Sequence, residues 1–147
     1  MTAPDAAARC PLCTGDGGMV LARTPSLRVV QVDEPDHPGF LRVIWNAHVA
    51  EMSDLSQAER ARLMAAVHAA ETALRRALAP DKMNLASLGN QVPHVHWHVI
   101  ARFRDDAHFP QPIWAAPVRA SDPPQLASRR VKLAEVGRLL GELLSTD

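Results

Sequence analysis

The sequence predicts an α+β domain with a mainly antiparallel five-stranded sheet, one central helix and a C-terminal helix. Two observations carry this prediction. Five short runs have the apolar, β-branched character of strands, and one long run between the third and the fourth has helical spacing. The chain has 147 residues, 47% of them hydrophobic, which suits one globular domain with a sizeable core. We therefore interpret residues 1–147 as a single domain.

The predicted strands fall into two groups, one on each side of the helix. They cover residues 19–23, 27–32, 40–45, 83–88 and 94–103. A turn at Thr24-Pro25-Ser26 joins the first two strands, and residues 33–39, with two prolines and a glycine, form a loop before the third. Residues 1–18 are expected to be an irregular arm, and residues 89–93 link the last two strands.

The central helix is predicted from its cap and its apolar stripe. Ser56 and Glu59 form a capping box at its start, and Pro80 ends it after about Ala79. The stripe consists of Leu63, Val67, Ala70, Leu74 and Leu78. We expect this helix to cover one face of the sheet.

The rest of the chain is predicted to be an extended segment followed by a helix. Residues 104–124 hold five prolines, which favours extended chain lying over the rest of the domain. A closing amphipathic helix is expected in residues 125–147, from about Gln125 to Leu144. Its apolar members are Leu126, Val131, Leu133, Val136, Leu139, Leu140 and Leu143.

The charge balance excludes some classes of partner. Lys plus Arg and Asp plus Glu each number 16, so the chain lacks the net basic charge that a nucleic-acid-binding protein normally carries. An anionic substrate would have to be held by local groups. No apolar run approaches the roughly 20 residues that span a bilayer. The first ten residues contain Asp5 and no apolar core of a signal peptide, so we expect a soluble, cytoplasmic protein with no membrane partner.

The most informative motif is His94-Val95-His96-Trp97-His98-Val99-Ile100. Alternate side chains of a strand point to the same face, so the three histidines are predicted to form one row. Val95, Trp97 and Val99 then face a core on the other side. Because the helix covers that other face, the row is expected on the open face of the sheet or at its rim.

Three interpretations of the row are open. One imidazole is a nucleophile that splits a phosphoryl or nucleotidyl transfer into two easier steps. Alternatively the row binds a metal ion, or its members are buried histidines with structural hydrogen bonds. Gly89-Asn90-Gln91, directly before the row, favours the first interpretation, since a glycine lets backbone N–H groups approach a phosphate and Asn90 adds an amide donor.

The only two cysteines form the pair Cys10-Pro11-Leu12-Cys13. A redox motif of this kind would open a helix after a strand, whereas here a Gly-rich stretch at 14–18 follows. A permanent disulfide is not expected in a reducing compartment. The pair is therefore interpreted as half of a metal site.

Together these motifs resemble the histidine triad (HIT) superfamily of nucleotide hydrolases and transferases. The signature His-x-His-x-His followed by two apolar residues matches residues 94–100 without a gap. Pro38-Gly39, then residues 41–44 and His48, are similar to the upstream strand-and-histidine segment, and the Cys-x-x-Cys arm is similar to that of many bacterial members. The likeness covers residues 19 to about 114.

The resemblance implies a HIT-like fold and roles for each histidine. His96 would be the nucleophile that takes the nucleotidyl group from the α-phosphate, and His98 would bind that phosphate or assist the leaving group. His94 would orient its neighbours or bind metal. In bacterial members with such an arm, a structural zinc is held by the positions that are Cys10, Cys13, His48 and His94 here, a coherent closed shell.

The resemblance also implies the substrates and the assembly. Substrates would be purine nucleotides linked to phosphate, to an amine or to a second nucleotide, and the reaction itself would need no metal. Family members are usually homodimers. Trp114, in the Pro-rich segment, is a candidate cover for the site or for a partner surface.

Three positions depart from the family pattern. Gly39-Phe40 replaces the usual Gly-His, so one histidine of the hydrogen-bond network is absent. Gly89-Asn90-Gln91 replaces the usual Gly-Gln-Ser. The acidic residue that binds ribose has Asp33 as its nearest candidate.

Two alternatives to the covalent enzyme are open: a metal-dependent hydrolase that uses the row as ligands, and a nucleotide-binding module without turnover, which Phe40 makes plausible.

Overall fold

The computed structural model describes residues 3–144, and the side chains of residues 5–144. Five antiparallel strands form one sheet in the order β1-β2-β3-β5-β4. Their bounds are β1 Met19–Arg23, β2 Leu27–Gln31, β3 Phe40–Trp45, β4 Lys82–Ala86 and β5 His96–Arg102. The predicted α+β class and the antiparallel five-stranded sheet are confirmed.

Five α-helices and one 3₁₀ turn occur in residues 3–144. Their bounds are α1 Ala3–Arg9, α2 Pro11–Thr14, α3 Gln57–Leu78, α4 Pro123–Lys132 and α5 Ala134–Leu143, with the 3₁₀ turn at Met52–Asp54. The predicted cap of α3 is present: Glu59 N–H donates to Ser56 Oγ at 3.2 Å, and Ser56 N–H donates to Glu59 Oε2 at 2.7 Å. All five predicted stripe residues of α3 are buried.

The sheet separates two apolar layers. The larger one packs α3 and α5 against side chains such as Val43 and Val99, which are fully buried. The smaller one, on the opposite face, joins Val30 and Ile44 to Cys10 and Leu12 of the N-terminal arm. Side chains alternate between the faces along each strand, so the register decides which residues the arm covers.

Three local predictions differ from the structure. The arm, expected to be irregular, contains α1 and α2; an alanine-rich stretch and a proline at the first turn of α2 account for them. Strand β5 begins at His96, so His94 precedes the strand instead of lying in it. The C-terminal helix is divided at Leu133, and residues 145–147 of that prediction lie outside the described residues.

The division of the C-terminal helix follows burial. Helix α4 buries no side chain, and Val131, one of its predicted apolar members, is 76% exposed. Helix α5 buries Val136, Leu139 and Leu140. Between residues 103 and 122, all of them described, there is no helix or strand, as the prolines predicted.

Candidate functional site

A cavity of about 440 Å³ opens on the sheet face that α3 does not cover. Its floor consists of His96 and His98 of β5 and of Arg42 of β3. The loop at residues 88–92 forms one wall, and arm residues Pro11, Leu12 and Gly17 and the indole of Trp114 complete the lining. The site therefore combines strand, loop and arm, and Gly89, Asn90 and Gln91 lie in it together with the two strand histidines.

His96 is held in one tautomer by the backbone. Its Nδ1–H donates to His94 O at 2.6 Å, since a carbonyl can only accept, so Nε2 of the neutral ring carries the lone pair. Burial lowers the pKa of His96, the bond to His94 O opposes this effect, and the positive charge of Arg42 adds to it. A neutral imidazole with a free lone pair is the form that attacks phosphorus.

His98 lies beside His96 on the same floor. The two ring centroids are 5.0 Å apart, and the rings meet edge to face. Burial first, and then the charges of His96 and Arg42, lower the pKa of His98 to about 4. Its Nδ1 is buried with no hydrogen-bond partner among the described residues. Phe40, in place of a family histidine, lies 5.5 Å from the His98 ring and offers it no hydrogen bond.

The loop before β5 is shaped to present backbone groups. Gly89 has φ of +77°, a left-handed conformation that residues with a side chain rarely adopt. Ser87 Oγ–H donates to His96 O at 2.7 Å and so ties the start of this loop to the strand that carries the floor. Gly89, Asn90 and Gln91 then lie along the wall, where N–H and amide groups can reach a bound anion.

Two lining residues were not assigned to the floor or the wall from the sequence. Arg42 stands opposite His98 in the β3–β5 register, a pairing that sequence alone does not give. The Trp114 ring lies 5.1 Å from His98 and covers it from the Pro-rich segment, which agrees with one of its two expected roles. Asp33 is exposed in the loop after β2 and is not among the residues that line the cavity.

A second cluster, next to this cavity, has the composition of a metal site. Single ligand atoms of Cys10, Cys13, His48 and His94 all lie within 4.8 Å of one another. His94 Nδ1 is 3.4 Å from each sulfur, and His48 Nδ1 is 3.3 Å from Cys13 Sγ. Tetrahedral zinc with two sulfur and two nitrogen ligands places unlike neighbouring ligands about 3.6 Å apart. The donor set and its spacing fit such an ion.

His94 links this cluster to the floor of the cavity. Its Nε2–H donates to Trp45 O at 2.5 Å, which leaves Nδ1 without a proton and facing the two thiols. Its own carbonyl accepts the hydrogen bond from His96. His94 is 1% exposed and points to the arm, whereas His96 and His98 line the cavity, so the predicted row of three divides into one member of the cysteine–histidine cluster and two floor residues.

A third group of buried titratable residues has a structural explanation. His37, Asp106 and His108 lie close enough to share an ion, but both oxygens of Asp106 already accept hydrogen bonds from Arg102 and from backbone N–H groups. The two imidazoles bond each other, with His37 Nε2 2.8 Å from His108 Nδ1. This group ties the loop before β3 to the segment that carries Trp114.

Comparisons with known proteins identify the class. The HIT domain profile matches residues 18–105, and the chain belongs to that family. AP-4-A phosphorylase of Mycobacterium tuberculosis is 30% identical in an alignment 105 residues long that covers 67% of this chain and 54% of the relative. The chain thus spans about half the length of the curated relatives it matches.

Solved structures agree with this fold. A histidine triad protein from Marinobacter aquaeolei superimposes with a TM-score of 0.69 at 26% identity, covering 87% of this chain and 92% of that one. A Zn-bound histidine triad family protein from Mycobacterium smegmatis gives 0.62 at 20% identity, with 92% and 99% covered. Across residues 3–144, none of the helices has the length and apolar character needed to cross a membrane.

Proposed function

We propose that the chain hydrolyses or transfers a nucleoside monophosphate group through a covalent nucleotidyl intermediate on His96. The observation that carries the proposal is the fixed tautomer of His96, whose Nδ1–H is engaged by His94 O while Nε2 remains free on the floor of the cavity. No second base is needed to activate this nitrogen, because the backbone already holds the proton on the far side of the ring.

The reaction divides into two displacements. His96 Nε2 attacks the α-phosphorus, a phosphorus–nitrogen bond forms, and the bond from phosphorus to the leaving group breaks. Water or another acceptor then attacks the same phosphorus and releases His96. His98 offers a ring N–H to the phosphate or to the departing atom, and the 89–91 wall donates hydrogen bonds as charge develops on the phosphate oxygens.

The substrate class follows from the donors and from the relative. A glycine-containing loop that lines the cavity beside neutral histidines suits a nucleotide phosphate. The name of the M. tuberculosis relative, AP-4-A phosphorylase, makes dinucleoside polyphosphates the first substrates to test. Nucleoside phosphoramidates, in which an amine leaves, are the second class. Since Asp33 is exposed outside the lining, we do not assign it the ribose contact.

A nucleotide-binding module without turnover is the second candidate. The observation that favours it is the environment of His98, whose Nδ1 is buried and unpartnered within the described chain, beside the apolar ring of Phe40. A mispositioned His98 would still bind phosphate but would assist a leaving group poorly. The metal-dependent alternative has less support, because the described ligand groups include His94 but neither His96 nor His98.

We also propose that Cys10, Cys13, His48 and His94 hold a structural zinc. Such an ion would fasten the arm to the residue that orients His96, without taking part in the chemistry.

We further propose a homodimer that forms through the edge strand β4. This edge carries Leu85, 37% exposed, and adjoins Leu88, 56% exposed, and Trp114, 52% exposed. Light scattering of the purified chain would give its mass in solution.

Release of adenosine monophosphate from a dinucleoside tetraphosphate tests the catalytic proposal. We expect His96→Ala to lower kcat by at least about 1,000-fold, as for other nucleophiles that act within a unit. His68→Ala, at an exposed position of α3, is the matched control and should keep wild-type activity.

Three results would contradict the catalytic proposal. Activity retained in His96→Ala would show that His96 is not the nucleophile. Activity lost on chelation and restored by added metal, with the fold unchanged throughout, would favour the metal-dependent hydrolase. Nucleotide binding by the wild type without any release of monophosphate would favour the binding module.

A further inference from the structure

Arg42 is a charged side chain in the middle of an apolar strand. Its neighbours Leu41 and Val43 are fully buried in the core on the α3 side. Alternation turns Arg42 to the other face, where it stands opposite His98 in the strand register and lines the cavity with His96. The fold therefore places a permanent positive charge on the floor of the site.

This charge has no anionic partner in residues 3–144. Arg42 Nη1 donates to Gly17 O at 3.1 Å, and Nε is buried without an acceptor. A guanidinium has five N–H donors, so most of its capacity is unused. Of the three buried side-chain atoms in the described chain that lack a partner, two, Arg42 Nε and His98 Nδ1, belong to residues that line this cavity.

The two buried arginines of the sheet, Arg28 and Arg102, are different from the half-buried Arg42. Arg28 donates to the carbonyls of Leu12, Gly15 and Asp16 and to the side chain of Asn46, so its role is to hold the arm. Arg102 pairs with the carboxylate of Asp106 at 2.8 Å. In both, every guanidinium nitrogen donates at least one hydrogen bond within the protein. Arg42 alone among these three faces a cavity with free donors.

A half-buried cation without a counter-ion is unfavourable unless something else compensates it. The Phe40 ring, with its centre 5.7 Å from the guanidinium carbon, supplies only part of that compensation. Burial accordingly lowers the pKa of Arg42, although an arginine stays charged at neutral pH. An anion in the cavity would supply the missing partner, and residues 89–91 line the same space.

We propose that Arg42 is a phosphate-binding residue, whose guanidinium donates to the non-bridging oxygens of the nucleotide phosphate next to His96. Resting on the function proposed above, this assignment makes the site selective for the anionic nucleotide over the uncharged nucleoside. It also gives the cavity a fixed positive charge on the strand that carries Phe40, where the family pattern has a histidine. Guanidinium geometry suits two phosphate oxygens at once, which a single ammonium group matches less well.

Binding of two probes, adenosine monophosphate and adenosine, tests the assignment without requiring turnover. Competition titrations extending into the millimolar range would be made on wild type, Arg42→Gln, Arg42→Lys and Arg76→Gln. Arg76 is exposed on α3, in the layer behind the sheet, and is the matched control for losing one positive charge. Thermal unfolding of each variant would be recorded in parallel.

We expect Arg42→Gln to weaken adenosine monophosphate binding by about 10- to 100-fold, the range of a charge-assisted hydrogen bond. Its adenosine affinity and unfolding temperature should stay close to those of the wild type. Arg42→Lys should recover part of the loss, and Arg76→Gln should bind like the wild type.

Two results would overturn the assignment alone. One is unchanged monophosphate affinity in Arg42→Gln. The other is an equal loss for both probes together with a lower unfolding temperature, which would mean that Arg42 only holds the loop at Gly17. A wild type that binds neither probe would overturn the proposed nucleotide function, and this assignment with it.

Discussion

Replacing Asp106 by asparagine should destabilise the protein strongly, although the two side chains have the same shape. Asp106 and its partner Arg102 have side chains that are only 1% and 2% exposed. The two carboxylate oxygens accept hydrogen bonds from two guanidinium nitrogens and from the backbone N–H groups of Phe103, His108 and Phe109. The substitution removes the charge and turns one acceptor oxygen into a donor.

The size of the effect can be estimated from these contacts. Oδ2 accepts two of the five bonds and Oδ1 accepts three, so either orientation of the amide opposes at least two donors. Removing one partner of a buried ion pair costs about 3–5 kcal/mol, because the other charge stays buried and unpaired. For a domain of this size, about 3 °C per kcal/mol gives a fall in Tm of about 10–15 °C.

The same pair predicts a pH dependence. Burial by itself would raise the pKa of Asp106, but Arg102 and the three backbone donors hold it below its usual range. An acid whose pKa is lowered by folding stabilises the native state above its unfolded pKa of about 3.9, and this contribution is lost as the pH falls below that value. The difference between wild type and Asp106→Asn should therefore be largest near neutral pH and shrink in acid.

Chemical denaturation followed by circular dichroism, at pH 7 and at pH 3, measures both quantities. Asp105→Asn is the matched control, since Asp105 is exposed and pairs with Arg129 at the surface. It should cost less than about 1 kcal/mol. A loss below about 1 kcal/mol in Asp106→Asn at pH 7, or a loss that grows in acid, would contradict this role of the buried ion pair.

Two further predictions concern the metal cluster and the buried histidine pair. Purified protein should contain one zinc per chain by elemental analysis. Chelation or Cys10→Ser should lower the free energy of unfolding by about 4 kcal/mol, the stabilisation from a ligand at a thousandfold excess over its Kd, and Tm should fall with it. A Tm unchanged by both would contradict the structural zinc. Burial lowers the pKa of His37 to about 4, with Asp106 and Asp36 opposing the shift and His108 and Arg102 adding to it. Since the unfolded pKa is about 6.5, the free energy of unfolding should fall by up to about 3 kcal/mol between pH 6.5 and pH 4. Chemical denaturation of His37→Gln over this pH range should show a smaller fall. An equal fall would contradict the role given to His37.

The sequence was most informative where periodicity and caps decide the structure. The capping box at Ser56, the apolar stripe of α3 and the alternation in β5 each depend on neighbours close in the chain, and each was confirmed. The histidine motif at residues 94–100 also indicated the face on which the cavity lies, because the alternation that turns Val99 into the core turns His98 away from it.

The remaining features depend on contacts between distant segments. The β3–β5 pairing brings Arg42 opposite His98, and nothing near Arg42 in the chain indicates that partner. The position of Trp114 is set by a segment without regular structure, which Arg102 holds through Gln111 O at 2.7 Å. The break at Leu133 reflects a change in burial between α4 and α5, which a continuous apolar pattern did not reveal.

Covalent catalysis at His96 is tested most directly by intact-protein mass spectrometry after a rapid quench that avoids acid. Wild type and His96→Ala would be mixed with a dinucleoside tetraphosphate for milliseconds, quenched and weighed, with His68→Ala as the control. We expect a mass increase of one nucleoside monophosphate group on wild type and on His68→Ala, and none on His96→Ala. An adduct that persists in His96→Ala, or rapid turnover by the wild type with no adduct at any time, would contradict covalent catalysis at His96.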